Sequence, residues 1–266
     1  MKYLFSVWEE FSSVCTAAPH VLLLADYDGT LTPIVSRPED AVLSPSVHDT
    51  LSLLAQKKSF SVGIISGRSI EDIKHLVKIK DIYYSGNHGL EIDGPALEYR
   101  NPAAFSAKKL IGDLSARLSV AVSDIAGAVV QNKGFTLSVH YRLVKPGDEA
   151  AVAQAVKRIT LPLVETGEIR VFGQKKVWEV RPPFDWDKGK AVMLIRREIG
   201  AELKLPGLLT VFLGDDTTDE DVFKVLRRPD GWSIYVGEEN RESAAEYYLK
   251  STEEVASFLR KLLDMK

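Results

Sequence analysis

Residues 21–30 read VLLLADYDGT, and this stretch decides the fold. Its first five residues form a continuous apolar run, as expected of a strand buried on both faces of a parallel sheet. Asp26 and Asp28 follow directly, so they lie at the carboxyl end of the strand, where open α/β sheets bind ligands. Two carboxylates beside the flexible Gly29 can hold a hard cation through oxygen ligands, and a carboxylate can also act as a nucleophile.

The plain alternative is that residues 26–30 form only a turn, because Asp and Gly are favoured in turns. A second segment counts against it. Residues 214–219 read GDDTTD and follow another apolar run, 208–213. The carboxylates of Asp215, Asp216 and Asp219 repel one another unless a cation or a basic partner is present, and a Mg²⁺ shared with Asp26 and Asp28 resolves that repulsion. A capped helix N-terminus is the structural alternative for this segment, and both can hold at once.

Two weaker signals point to an anion site. Ser66 ends a predicted strand and leads into a helix, where a hydroxyl and free backbone N–H groups make a phosphate cradle. Lys188 precedes another predicted helix, and a lysine near a nucleophile would neutralise the charge that a phosphate gains when it is attacked. Taken alone, each is an ordinary loop or surface residue.

The apolar pattern also predicts the other elements of the first and last parts of the chain. Helices begin after the caps Ser44 and Ser69, a third helix ends at Gly200, and Ser251 caps the final helix. Strands are predicted at 60–65, 81–85, 208–213, 232–236 and 247–249.

Between about residues 101 and 183 the pattern changes. Helices at 103–119 and 148–159 alternate with strands whose side chains switch between apolar and polar. In the strand 135–142 the polar face bears His140 and Arg142, and in 176–181 it bears Glu179 and Arg181. We therefore predict an α/β fold: a doubly wound, mostly parallel, Rossmann-like core of residues 1–100 and 184–266, with a smaller α+β cap domain, residues 101–183, inserted in it.

Composition excludes several classes of protein. The chain has 266 residues, 27% of them charged, and a formal net charge of -3, which does not indicate nucleic acid or an anionic membrane as partner. The single cysteine, Cys15, rules out an intramolecular disulfide and a cysteine metal site, and it fits a reducing cytosol. No apolar run approaches the ~18 residues of a membrane helix. A cytoplasmic protein is expected.

The order of these features resembles the haloacid dehalogenase superfamily of phosphatases: a strand-end carboxylate pair, a strand-end serine, a lysine, then a strand-end acidic cluster. The resemblance implies Asp26 as nucleophile and Asp28 as the general acid and base. It further implies Ser66 and Lys188 as phosphate-binding groups. Mg²⁺ would be held by Asp26, Asp28 and Asp215, with support from Asp219.

A narrower set of motifs is similar to the trehalose-6-phosphate phosphatase family: DYDGTLTPI at 26–34, ISGR at 65–68, GNHG at 86–89, EVRP at 179–182 and GDDTTDED at 214–221. That similarity implies a sugar phosphate as substrate and a cap that contacts the sugar. Lys133 is a sugar contact by family analogy alone, and we place it before the strand proper. The implied substrate-binding residues are Arg68, His88, Lys133, His140, Arg142, Glu179 and Arg181.

Three other functions stay open at this stage. The chain could act on another hexose or glycosyl phosphate, because specificity depends on cap residues. A phosphomutase is less well supported, since nothing indicates return of the phosphoryl group. A catalytically silent sensor or regulatory protein would be expected to lose an essential group, and Asp26, Asp28, Ser66, Lys188 and Asp215 are all present. A separate trehalose-6-phosphate synthase is the candidate protein partner; the sequence does not give the oligomeric state, although a monomer is favoured.

Overall fold

The computed structural model describes residues 1–174, 176–205 and 207–265. The chain divides into two compact units: a core unit, Met1–Tyr99 with Trp186–Lys266, and an inserted unit, Arg100–Asp185. Elements are numbered below in chain order across both units. Among the described residues, no helix has both the length and the apolar character needed to cross a bilayer.

A nine-stranded sheet organises the core unit, with the spatial order β1-β13-β12-β11-β2-β3-β4-β5-β6. Neighbouring strands from β1 through to β4 pair in parallel, and β5 pairs antiparallel with β4. The strands are β1 (Lys2–Tyr3), β2 (Val21–Ala25), β3 (Phe60–Ile65), β4 (Tyr83–Gly86), β5 (Glu91–Gly94), β6 (Leu97–Arg100), β11 (Leu209–Gly214), β12 (Gly231–Val236) and β13 (Tyr247–Leu249).

Helices cover both faces of this sheet. Successive residues of β2 enter opposite layers: Leu23 packs in one apolar cluster, and Leu22 and Leu24 pack in the other. All five residues of β2 are buried, which confirms the prediction of a strand covered on both faces. The helices are α1 (Trp8–Ala17), α2 (Pro45–Gln56), α3 (Ile70–Val77), α6 (Lys188–Leu203), α7 (Glu220–Val225) and α8 (Thr252–Asp264).

Helix starts in the core unit follow their capping residues. The hydroxyls of Ser44, Ser69 and Ser251 each accept a hydrogen bond from the backbone N–H three residues on, which satisfies a donor that has no partner within the helix. Asp187 does the same for Lys190 at the start of α6. These caps fix where the chain leaves each loop, and the cap at Asp187 fixes the position of Lys188.

The inserted unit is an α+β layer. Its antiparallel sheet has the order β7-β8-β10-β9, and the two helices pack on one face of it around Leu114, Leu137, Val139, Val152 and Val180. The elements are α4 (Pro102–Ala121), β7 (Val129–Asn132), β8 (Leu137–His140), α5 (Glu149–Glu165), β9 (Arg170–Gln174) and β10 (Val177–Arg181).

Several predicted boundaries were wrong. Gly200 does not end α6, which continues to Leu203 and is capped by the left-handed Lys204, because glycine inside a helix costs only about 1 kcal/mol. Helix α5 passes its predicted end at 159 and contains Pro162. The strand predicted over 135–142 is limited to β8, so Arg142 lies in the turn after it. The short strands β1, β5, β6, β7 and β9 had no clear apolar pattern and were not predicted.

Candidate active site

Three neighbouring parallel strands end at one edge of the core sheet, and a candidate residue follows each. β2 lies between β11 and β3; Asp26 follows β2, Asp215 follows β11, and Ser66 follows β3. The Asp26 amide donates to the Leu213 carbonyl at 2.8 Å, which extends the ladder between β2 and β11 to Asp26 itself. The chain winds from β2 toward β4 on one side and from β11 toward β13 on the other. This edge therefore contains the topological switch point at which α/β sheets bind ligands.

The carboxylates of Asp26, Asp215 and Asp219 form a buried cluster. Each contributes an oxygen that lies within 4.8 Å of the other two. Lys188, the first residue of α6, is only 2% exposed, and its Nζ donates to Asp26 Oδ1 at 2.7 Å and to Asp219 Oδ1 at 2.8 Å. Four charged residues from three segments that are far apart in the sequence thus meet at the strand ends.

Asp219 organises the acidic loop that follows β11. Its Oδ2 accepts hydrogen bonds from the amides of Asp215 and Asp216 at 2.9 and 3.0 Å, while its Oδ1 accepts from Lys188. Asp216 Oδ1 in turn accepts from the amide and the hydroxyl of Thr218, both at 2.7 Å. A Cβ on Gly214 would lie 2.4 Å from Asp219 Cγ, so only glycine leaves room for this inward carboxylate.

Burial dominates the electrostatics of the cluster. It raises the pKa of Asp26 well above the usual value; Lys188 opposes the shift, and Asp219 and Asp215 add to it. Burial likewise raises the pKa of Asp219 to about 7, with Lys188 again acting in the opposite direction. Burial lowers the pKa of Lys188, but the two carboxylates outweigh it and leave that pKa well above the usual value. Three carboxylate oxygens this close together form an all-oxygen donor set of the kind that fits a hard divalent cation.

The carboxylate of Asp28 does not join the cluster. It accepts two hydrogen bonds from the Arg68 guanidinium, from Nε to Oδ2 at 2.7 Å and from Nη2 to Oδ1 at 2.6 Å. The chain turns sharply after Asp26, with the amides of Leu31 and Thr32 both bonded to the Tyr27 carbonyl. In an extended strand the side chains of Asp26 and Asp28, two positions apart, would point to the same face, but this turn separates them. Of the three carboxylates predicted as metal ligands, the structure brings Asp26 and Asp215 together and places Asp219 beside them.

Gly29 permits the close approach of the two acidic segments. Its backbone is left-handed, with φ of 94°, and a Cβ there would lie 2.3 Å from Asp215 Oδ2. Thr30 Oγ1 donates to Asp215 Oδ1 at 3.5 Å. Sequence reasoning treated Gly29 only as a flexible neighbour, although glycine is also the residue favoured where the backbone is left-handed or approaches another group closely.

Ser66, Arg68 and His88 lie together in the core unit. The Ser66 Oγ accepts from the Arg68 amide at 3.2 Å, and the His88 amide donates to the Ser66 carbonyl at 2.9 Å. The His88 ring covers the intervening glycine, since a Cβ on Gly67 would lie 2.4 Å from His88 Cε1. The motifs ISGR and GNHG are therefore one structural feature, which the sequence presents as two.

The inserted unit holds a second polar cluster. Glu179 lies between two cations: Lys133 Nζ is 3.3 Å from its Oε1, and Arg181 Nη2 is 2.6 Å from its Oε2. His140 Nε2 lies 3.0 Å from Gln131 Oε1 on the neighbouring strand. Lys133 follows β7, outside the strand as predicted. Gln131 was missed because β7 itself was not predicted.

A doubly wound core, an inserted α+β unit and strand-end carboxylates with a buried lysine define a phosphatase of the haloacid dehalogenase superfamily. The chain belongs to the trehalose-phosphatase family, whose model matches residues 24–253. It is accordingly an enzyme, a phosphoric monoester hydrolase of the trehalose-phosphatase type.

Individual relatives and structures agree with this assignment. The chain is 36% identical over 275 residues to the probable trehalose-phosphate phosphatase 3 of Oryza sativa subsp. japonica, with 96% of this chain and 73% of the relative covered. The C-terminal domain of Candida albicans trehalose-6-phosphate phosphatase has a TM-score of 0.81 at 26% identity, with 97% of each chain covered. The C-terminal domain of the Candida albicans trehalose synthase regulatory protein has a TM-score of 0.70 at 14% identity, with 94% of this chain and 97% of that domain covered. The last match shows the fold alone.

Proposed function

We propose that this protein hydrolyses trehalose 6-phosphate to trehalose and phosphate, with Asp26 carrying the phosphoryl group and Mg²⁺ as cofactor. The observation that carries the proposal is the buried Asp26 carboxylate, held at a strand end by Lys188 at 2.7 Å. The family membership and the names of the relatives support the choice of substrate.

The first half-reaction transfers the phosphoryl group to Asp26. An Asp26 carboxylate oxygen attacks phosphorus, the bond from phosphorus to the sugar oxygen breaks, and Asp28 gives its proton to that oxygen. The ammonium of Lys188 favours the ionised form of Asp26 against the effect of its burial and offsets charge on the phosphate. The Ser66 hydroxyl, 2% exposed at the end of β3, is a donor for a phosphate oxygen.

The second half-reaction releases phosphate. Asp28, now a carboxylate, takes a proton from a water molecule, and the water oxygen attacks phosphorus. The bond to the Asp26 oxygen breaks, so that Asp26 is again a free carboxylate and Asp28 is again protonated. The two carboxylates thus have separate tasks, which agrees with their separate environments: Asp26 is buried, whereas the Asp28 side chain is 41% exposed.

Asp26 and Asp215 are the carboxylates that would hold Mg²⁺. Asp219 already accepts from Lys188 and two backbone amides, so we assign it the task of shaping the loop. Asp28 as a ligand stays a prediction, and its carboxylate pairs with Arg68. When bound, the cation would reduce the repulsion between the Asp26 carboxylate and the substrate phosphate.

We assign sugar recognition to the inserted unit, residues 101–183 in the sequence-based division. Its polar cluster of Lys133, Glu179 and Arg181 offers donors and an acceptor of the kind that sugar hydroxyls bind. His140 and Arg142, and His88 of the core unit, complete the proposed substrate contacts. A cytoplasmic location, a monomeric state and a separate synthase as partner stay predictions from the sequence.

A substrate panel tests the proposal. Phosphate release from trehalose 6-phosphate, glucose 6-phosphate and sucrose 6-phosphate is measured at equal enzyme concentration with Mg²⁺ present. We expect kcat/KM to be highest for trehalose 6-phosphate by about 10²-fold or more, because unmatched buried polar groups penalise the wrong sugar. A preference for another sugar phosphate would move the assignment to that substrate, and no turnover at all would favour a catalytically silent sensor or regulatory protein.

A further inference from the structure

We infer that Arg68, which the motif ISGR presents as a substrate-binding residue, acts as the positioning residue of Asp28. The inference rests on the proposed function only in assuming that Asp28 is used in turnover. It is carried by the two hydrogen bonds between the Arg68 guanidinium and the Asp28 carboxylate, and by what holds the guanidinium itself.

The guanidinium of Arg68 is held on several sides by the core unit. Besides its two bonds to Asp28, Nη2 donates to the Pro38 carbonyl at 2.8 Å. Nη1 lies 3.9 Å from Asp72 Oδ2, on the first turn of α3. The planar group also lies over the ring of Tyr27, with Cζ 5.5 Å from the ring centroid. These contacts together hold the arginine fork in place.

The neighbours of Arg68 are themselves fixed. Tyr27 is fully buried and its hydroxyl donates to the Ala41 carbonyl at 2.6 Å. The backbone of Arg68 is held in turn by its amide bond to Ser66 Oγ. The serine loop, the turn after β2 and the segment around Pro38 are thus joined through one side chain.

The side chains of Arg68 and Asp28 differ in solvent exposure, and this difference indicates which residue positions the other. The Arg68 side chain is 9% exposed and that of Asp28 is 41% exposed. The buried arginine is the fixed member, and the half-exposed carboxylate is the member that a ligand can reach. Arg68 therefore has few means of contacting a sugar, but it does set the place and orientation of Asp28 through a bidentate fork.

Removing the guanidinium should affect catalysis more than binding. Asp28 is exposed enough for water to solvate its carboxylate, so the loss would be one of position and not of an unpaired buried charge. Lysine would not replace the fork, because an ammonium is a point charge without two parallel donors.

A double-mutant cycle tests the inference. We measure kcat and KM for trehalose 6-phosphate with the wild type, Arg68→Met, Asp28→Asn and the double variant. We expect Arg68→Met to lower kcat by about 10- to 100-fold, with KM changed by less than about threefold, as for a displaced catalytic group. In the Asp28→Asn background the same substitution should change kcat by less than about threefold, since coupled residues are not additive.

Two results would overturn the inference. A rise in KM of about tenfold or more with kcat retained would make Arg68 a substrate contact. An equal fall in kcat with and without Asp28 would show that Arg68 acts independently of it.

Controls separate positioning from folding and from the choice of substrate. Arg228 is also an arginine of the core unit that lies over an aromatic ring, that of Trp232, and pairs with Glu10, so Arg228→Met should leave kcat within about twofold. If Arg68→Met unfolds below the assay temperature, the double-mutant cycle is measured with Arg68→Lys in its place. The cycle is repeated with p-nitrophenyl phosphate as substrate. If Arg68 and Asp28 are coupled in that assay but trehalose 6-phosphate is not turned over, the proposed substrate is rejected and the inference stands.

Discussion

The core unit and the inserted unit each contain a cluster of charged side chains, and the two clusters differ in burial. In the core unit the side chains of Lys188, Asp26 and Asp219 are 2%, 7% and 0% exposed. In the inserted unit those of Lys133 and Glu179 are 10% and 15% exposed, and that of Arg181 is 21% exposed. The core cluster is fixed by strand ends and a helix start, whereas the second lies on one face of a small sheet.

This difference suggests a division of labour. Fully buried charges cannot exchange partners without a large desolvation cost, so their geometry is set before a ligand arrives, as chemistry requires. Partly exposed charges can exchange their charged partners for the hydroxyls of a ligand at a small cost in free energy. The following predictions test the division, from the largest expected effect to the smallest.

Asp26→Asn should abolish the activity of the core cluster. The amide is a poor nucleophile toward phosphorus, so kcat should fall by about 10⁴-fold or more. Phosphate release and a thermal melt by circular dichroism are measured together. The control is Asp49→Asn, at a position of α2 whose side chain is 75% exposed. Retained turnover in a folded Asp26→Asn protein would contradict the assignment of the nucleophile.

Removing the cation with a chelator should lower the activity that depends on the core cluster and should leave the charged cluster of the inserted unit unchanged. Exhaustive EDTA treatment should lower kcat by about 10³-fold, and Mg²⁺ should restore it, because the cation offsets charge at the nucleophile. Mg²⁺ should also raise the melting temperature of the wild type, but not of Asp215→Asn, since only the former binds the ion in its folded state. Full activity after chelation would show that turnover does not need the cation.

Gly29→Ala should damage the core cluster without touching a charge. The added Cβ would overlap Asp215 Oδ2, and the backbone is left-handed at this position. We expect a loss of roughly 1–3 kcal/mol in the free energy of unfolding and a kcat lowered by about tenfold. The matched control is Gly200→Ala within α6, whose Cβ would lie 3.7 Å from its nearest neighbour; it should stabilise the fold by about 0.5–1 kcal/mol. Equal behaviour of the two variants would refute the steric argument.

Glu179→Gln should weaken only sugar recognition. Lys133 and Arg181 would lose the carboxylate between them, so KM for trehalose 6-phosphate should rise by about tenfold. Turnover of p-nitrophenyl phosphate, which has no sugar, should stay within about twofold. Glu149 pairs with Lys176 in the same unit, and Glu149→Gln should leave the turnover of both substrates unchanged. A loss with both substrates would break the proposed division.

Much of the fold could be predicted because its signals are local. The apolar run of β2 and the mostly apolar run of β3 are found where the sequence placed them, since strands of a parallel sheet covered on both faces are near-continuously apolar. Caps at Ser44, Ser69 and Ser251 were equally readable, because a hydroxyl satisfies an orphan backbone donor within its own turn. The ends of α5 and α6 were not, because each helix continues through a residue, Pro162 or Gly200, that often ends one.

The core residues of the site could be listed from the sequence, but their pairings could not. Asp26, Asp215 and Asp219 stood out by type and position, whereas Lys188 was singled out only through the order of features that resembles the superfamily. That Asp219 turns inward to meet Lys188 depends on Gly214, which leaves room for it. That Asp28 turns away toward Arg68 depends on the tight turn after Asp26. Such choices follow from steric contacts between segments that are distant in the chain.

The sequence by itself determined the family, the parallel core and the carboxylates at its strand ends, because apolar runs and residue types act through local rules. Only the tertiary structure decided which carboxylate faces the lysine, which faces the arginine, and that ISGR and GNHG form one feature. Side-chain partners are set by backbone turns and by the space that glycines leave, and neither quantity can be read from residue order.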